Sequence, residues 1–332
     1  MIRLLTLACP FLVAADAAAL DQAPSHELQQ GGSILLKDVR GRIDHMAIDR
    51  EGHRLFVAAL GNGSVEVIDL ASGKQSGSIP GLKEPQGVAY VPSTGQVIVA
   101  CGGDGTCRAF DGATLKQVAS VDAGSDPDNV RVDDGRACVY VGFDPGIAVL
   151  EISGLKKRRD IRLSGHAESF QLEAGGPRMF VNVPDSKQIQ VVDRDTDTVV
   201  GTWQVSDAKR NYPMALDSDG RRLFVVCRDP ARVLMLDTTS GQILTSVECV
   251  GDADDVFFDA TLKILFVSGG AGSLDVFGVN EADNLKRTQR VQTASGARTC
   301  LYDAPSHSLY LAIPQRGEQS AEIRVFTVAS PH

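Results

Sequence analysis

Met46-Ala47-Ile48-Asp49-Arg50-Glu51-Gly52-His53-Arg54-Leu55-Phe56-Val57, with Val65-Glu66-Val67-Ile68-Asp69 and Ala71-Ser72-Gly73-Lys74 after it, reads as strand, tight turn, strand, strand and turn. Its apolar core recurs as Val97-Ile98-Val99, Val139-Tyr140-Val141, Met179-Phe180-Val181, Leu223-Phe224-Val225, Leu265-Phe266-Val267 and Leu309-Tyr310-Leu311, at intervals of 42, 42, 40, 44, 42 and 44 residues. Each copy keeps the same punctuation. A turn such as Asp217-Ser218-Asp219-Gly220 precedes the core, and one such as Thr238-Thr239-Ser240-Gly241 precedes a third strand at Ile243–Val247. Asp and Gly supply the backbone angles those turns need. Alternation of period two, without long helical stretches, makes the chain all-β. Seven repeats of about forty residues and four strands describe a seven-bladed β-propeller.

Closure of the ring can also be located. The last repeat stops after its third strand, Glu322-Ile323-Arg324-Val325-Phe326, so Ser33-Ile34-Leu35-Leu36-Lys37-Asp38-Val39 is expected to supply the missing outer strand of the last blade. The expected order is a signal peptide over 1–19, a flexible segment over 20–32, the propeller over 33–328 and a tail over 329–332. The signal reading rests on Arg3, the short apolar run Leu4–Ala15 and the small residues Ala17-Ala18-Ala19, and it predicts a periplasmic or secreted protein. No later stretch is apolar enough for a membrane span. A net charge of −9, with no basic cluster beyond Lys156–Arg159, argues against a nucleic-acid partner. Cys101 and Cys107 flank Gly102-Gly103-Asp104-Gly105 and are expected on adjacent strands of one hairpin, near enough to bridge, with their disulfide status open.

The unit in Met46–Lys74 resembles the repeat of YVTN-repeat, YncE-like bacterial propellers. That resemblance implies the fold over about 33–328 and leaves the activity open, since propellers bind, scaffold and catalyse alike.

Function is sought where the repeats differ. The residue two places before each innermost strand is Asp44, Gln86, Asp128, Glu168, Tyr212, Asp254 or Arg298, flanked by His45, Asp126, Asn129, His166, Asn211, Asp252 and Asp255. On one face of a propeller these loops converge on the mouth of the axial channel. Asn182 and Arg228, near strand ends on that face, are expected to point inward. Crowded carboxylates repel one another and call for a positive partner. Asp44, Asp128, Glu168, Asp254, Asn129 and Asn182 are therefore the candidate ligands of a hard cation, Ca2+ first, with another divalent metal admitted by His45 and His166. The plainer reading is a hydrated polar rim.

Two functions follow. One is metal-assisted hydrolysis of a small lactone or ester at the mouth, with His45 or Asp44 taking a proton and Arg298 or Arg228 holding an oxyanion. Six-bladed gluconolactonase and paraoxonase propellers offer an analogy of site logic, with no residue matched. The other is a non-catalytic propeller that holds a small molecule in the channel or a protein on its blades. Nucleophile-elbow, phosphate-loop, haem and His-Glu-x-x-His motifs are missing, and the single Trp203 does not provide a quinoprotein's repeated tryptophans.

Overall fold

The computed structural model describes residues 26–206 and 208–329. These residues form seven four-stranded antiparallel sheets. The first blade runs Met46–Asp49, Arg54–Ala59, Ser64–Asp69 and Lys74–Pro80 from the inside outward. The innermost strands of blades 2 to 7 are Pro85–Val91, Val130–Asp133, Ser169–Leu172, Lys209–Asp217, Ala253–Asp259 and Cys300–Asp303. The protein is a seven-bladed β-propeller. The expected signal peptide lies outside the described residues. No helix among the described residues is long and apolar enough to cross a membrane.

The repeat survives because its turns are built by side chains. Asp49 Oδ1 accepts from Gly52 N at 3.0 Å, and Asp217 Oδ1 accepts from Gly220 N at 2.9 Å. A Cβ on Gly52 would sit 2.2 Å from Asp49 Oδ2, which is why glycine stands there. In the next turn Asp69, Asp111 and Asp237 take the backbone N–H groups of Ser72, Thr114 and Ser240. The aspartates of the motif are thus spent on turns and offer nothing to a ligand.

Between the blades lie seven apolar clusters, one in each gap. Phe56, Val65 and Ile79 of blade 1 meet Val88, Val97 and Val99 of blade 2. The gap between blades 7 and 1 is filled by Leu55, Val57, Ile68, Tyr310 and Ile323, with Ile34 and Leu36. Burying both faces of every inner sheet is what makes the ring cooperative.

The closing strand is in place with corrected bounds. Leu28–Leu35, and not 33–39, pairs with Glu322–Val328, from Leu28 opposite Val328 to Leu35 opposite Glu322, with a bulge between Gln30 and Gly32. Residues 28–32 therefore belong to the sheet, where a flexible segment was expected. Only Leu28 and Ile34 of this strand are buried, so its sequence lacks the alternation that marks the others.

The cysteine expectation needs correction too. Antiparallel register sets Cys107 opposite Ala100 and Cys101 opposite Thr106, so the two thiols face opposite sides of the sheet. Cys101 packs in the gap between blades 1 and 2, and Cys107 in the gap between blades 2 and 3. All six cysteines of the described residues are buried and unbridged. Burial pushes the Cys101 thiol up to about 11 and that of Cys227 up to about 12, as expected of inert packing residues.

Candidate functional site

All seven innermost strands line a cavity of about 400 Å3 on the propeller axis. His45, Asn129 and Asp255 stand at its mouth, and below them the wall is mixed, with Met46, Val88, Val130 and Val256 beside Arg131 and Gln171. Local backbone contacts set the mouth residues in place. Asp44 N–H donates to Ala58 O at 2.7 Å, and Asp128 N–H donates to Gly142 O at 2.9 Å. Asp128 also needs a glycine beside it, because a Cβ on Gly87 would lie 1.9 Å from Asp128 O.

The structure brings Asp44, Asp128, Glu168 and Asp254 into one electrostatic neighbourhood, where each raised group is raised partly by the others. Burial is the leading cause throughout. It pushes Asp128 up to about 7 against the pull of His45, and Asp254 up to about 6 against Arg228. Glu168 stands well above the carboxylate range, through burial and then the charges of Asp128 and Asp254. Asp44 is only 1 % exposed. Such clustering of perturbed acids in a concave site is common where function is.

Compensation comes from Arg42, which strand register does not reveal, and from Arg228 and Arg298, which the sequence singles out. Arg42 Nη2 lies 2.8 Å from Asp44 Oδ2 and 3.5 Å from Asp254 Oδ2. Arg228 donates through Nη2 to Asp254 Oδ1 and through Nε to Ala253 O at 2.7 Å, with its guanidinium 4.1 Å above the Tyr212 ring. Arg298 pairs with Asp252 at 2.8 Å and sits at the edge of the cluster. Even so, Asp44 Oδ1 and Oδ2, Asp128 Oδ1 and Asp254 Oδ2 are buried with no hydrogen-bond donor among the described residues. Arg42 Nη2, at 2.8 Å, meets Asp44 Oδ2 as an ion pair.

His45 joins the cavity to the acids. Its Nδ1 lies 3.3 Å from Asp255 Oδ1, and Asp255 Oδ2 accepts from Cys300 N–H at 3.0 Å. Its Nε2 lies 3.1 Å from Asn129 Nδ2 and 3.6 Å from Asp128 Oδ1. Asn129 Nδ2 also donates to Glu168 O at 2.8 Å, so the contact with Nε2 makes that nitrogen an acceptor on a neutral ring. The surrounding charge favours the opposite state. Burial opposes a charged ring most, but Asp255, Asp44 and Asp128 outweigh it and push His45 up to about 10. The ring is therefore charged, held chiefly by Asp255 at 3.3 Å from Nδ1, while Asp128 at 3.6 Å from Nε2 attracts it without a hydrogen bond.

The remaining expected residues divide. His166 Nδ1 lies 3.7 Å from Glu168 Oε2, at the site. Asn182 is fully buried in the seam between blades 4 and 5, where its Nδ2 donates to Tyr212 O at 2.8 Å and its Oδ1 accepts from Asn211 at 3.0 Å. Its amide is spent on that seam. Among the described residues no three Asp, Glu, His or Cys side chains already stand arranged to hold a metal. Arg42 and Arg131 were missed by the sequence reading. Arg42 falls outside the aligned column, whereas Arg131 breaks the repeat visibly, as the one charged residue among Ala47, Ala89, Arg131, Gln171, Ala215, Phe257 and Leu301.

No protein-family model and no curated protein matches the chain. Among solved structures it is similar to a chain of Kuenenia stuttgartiensis hydrazine synthase, with a TM-score of 0.73 and 15 % identity over 83 % of this chain and 93 % of that one. At that identity the likeness is one of fold alone.

Proposed function

We propose that this is an exported, non-catalytic binding propeller of the YVTN-repeat kind, which takes a divalent cation, Ca2+ first, at the mouth of an axial small-molecule cavity. The observation that carries the reading is the set of buried carboxylate oxygens on Asp44, Asp128 and Asp254 that lack donors. A buried carboxylate oxygen without a donor carries a desolvation cost that ion pairing with Arg42 and Arg228 only partly offsets, and hard carboxylate oxygens are what Ca2+ accepts. Asp44, Asp128, Asp254 and Glu168 would hold the ion. Arg42, whose side chain is 44 % exposed, is the counter-charge such an ion would displace outward. The repeat motif supports the family, and the apolar run with its small-residue end supports export.

Calorimetric titration with CaCl2 tests this. Binding should release protons and tighten from pH 5.5 to pH 8, because Asp128 and Glu168 must give up protons to ligate. Absence of saturable heat at pH 8 for Ca2+, Mg2+ and Zn2+ would sink the cation reading.

A second reading, hydrolysis of a small lactone or ester, is favoured by Asp128. A carboxylate titrating near 7 beside a protonated His45 is suited to take a proton at neutral pH, a role the charge state of His45 denies to the imidazole. Chelator-sensitive turnover of a lactone and ester panel, lost in Asp128→Asn, distinguishes it from binding alone.

A further inference from the structure

Arg131 lines the axial cavity from the innermost strand of blade 3. Its guanidinium carries five donors. Among the described residues it makes one hydrogen bond, from Nη1 to the carbonyl of the preceding residue, Val130, at 2.9 Å, and no carboxylate lies within ion-pair distance. Its carbon Cζ stands 5.6 Å from the centroid of the Phe170 ring. At the same register blades 1, 2 and 5 carry Ala47, Ala89 and Ala215, so the wall opposite is shallow and the cavity opens there. Burial lowers the arginine's affinity for its proton, and the nearest opposing charges, Asp255 and Asp128, only partly offset that. A propeller core has no packing need for such a cation, since the equivalent positions in the other six blades are all uncharged.

We infer that Arg131 is the anchor of a ligand site for a small organic monocarboxylate, whose head pairs with the guanidinium and whose hydrocarbon body lies against Met46, Val88, Val130 and Val256. The fork of an arginine matches a carboxylate with two parallel hydrogen bonds. A cavity of about 400 Å3 falls in the range of small-ligand pockets. Two features choose the charge and the body. Asp255 and Asp128 lie close enough to act on Arg131, so each further negative charge on a ligand is opposed and a dianion is held less well than a monoanion. The apolar side chains of the wall reward a hydrocarbon that an inorganic anion lacks. The site lies below the acidic mouth and uses none of its carboxylates, so it stands or falls separately from the cation reading.

Calorimetric titration at pH 7 with hexanoate and with benzoate tests the site, with hexanamide and inorganic phosphate as controls. Either carboxylate should bind saturably, and Arg131→Gln should weaken it by about tenfold or more, the size of a charge-assisted hydrogen bond. The variant without ligand should melt no lower than the parent, because a buried unpaired charge has been removed. Should Arg131→Gln not fold, Arg131→Lys keeps the charge, loses the fork and should also weaken hexanoate. Repeating the hexanoate titration in Asp128→Asn, which removes mouth charge, should leave binding intact or tighter even if Ca2+ binds nowhere. The site is overturned if neither carboxylate binds saturably, if hexanamide or phosphate binds as well, or if the Arg131 variant that folds keeps the parent's affinity.

Discussion

At pH 8 the Asp128→Asn variant should melt above the parent by about 4 °C, and at pH 3 the two should melt together. The ordinary value of this carboxyl is 3.8, and the fold raises it to about 7, first through burial. A carboxyl raised by folding contributes stability that is fully present below its unfolded value and is lost as pH rises through its folded value. Stability should therefore decline between about pH 4 and pH 7, and Asp254, raised to about 6, adds to the same slope. A tenfold difference in proton affinity between the folded and unfolded chain is worth about 1.4 kcal/mol. Coupling within the cluster, and the loss of attraction to His45, reduce the net gain in Asp128→Asn to about 2 kcal/mol, which gives the few degrees expected for a chain of this size. His45 acts in a later window. Its contribution is full below 6.5 and fades as pH approaches 10. Exposed turn aspartates such as Asp69 and Asp111 have lowered values, so their contribution is lost only as pH falls below the ordinary carboxylate range and does not mask the effect. Added Ca2+ should raise the melting temperature of the parent at pH 8 more than that of the variant. If the variant melts lower at pH 8, Asp128 is a satisfied structural ion and the reading of the mouth is wrong.

The second large effect concerns closure. Ile34→Asp should leave the protein unable to hold its ring, while Leu35→Asp, one residue along, should change the melting temperature by less than about 1 °C. Ile34 is 6 % exposed, in the apolar gap between blades 7 and 1, and Leu35 is 51 % exposed. Side chains alternate along a strand, so the two substitutions differ in face and in nothing else. Burying an unpaired carboxylate and losing a core isoleucine together cost about 5 kcal/mol or more, a large part of the stability of an ordinary domain. The loss is worse here than in a central strand, because it detaches Leu28–Leu35 from Glu322–Val328 and opens an edge. Size-exclusion profiles and melting curves of both variants provide the readout. Equal behaviour of the two would mean that the strand does not close the ring.

The fold was legible because its signals are local and repeated: a turn punctuated by Asp or Gly, then an apolar core, recurring in step through the chain. The start of the closing strand was not legible, since Gln29–Ser33 faces solvent and carries no alternation. The cysteine pair misled because closeness along a hairpin says nothing about face, which the register of Cys107 opposite Ala100 decides. At the site, reading by register grouped Asp44, Asp128, Glu168 and Asp254, which share one electrostatic neighbourhood. Protonation depends on distances that no repeat alignment holds, so the charge on His45 and the pairing of Arg42 emerge only in three dimensions. Arg131 was visible in the sequence as the one charged residue at its register.

The most direct measurement is a carbon-13 NMR titration of the aspartate and glutamate carboxyl groups between pH 3 and pH 9, with and without CaCl2, assigned through Asp128→Asn and Asp254→Asn. The account predicts a mouth carboxyl with a midpoint near 7 that disappears in Asp128→Asn, a second near 6 that disappears in Asp254→Asn, and a downward move of both when Ca2+ is present. Midpoints in the ordinary carboxylate range for both groups, unmoved by calcium, would contradict it.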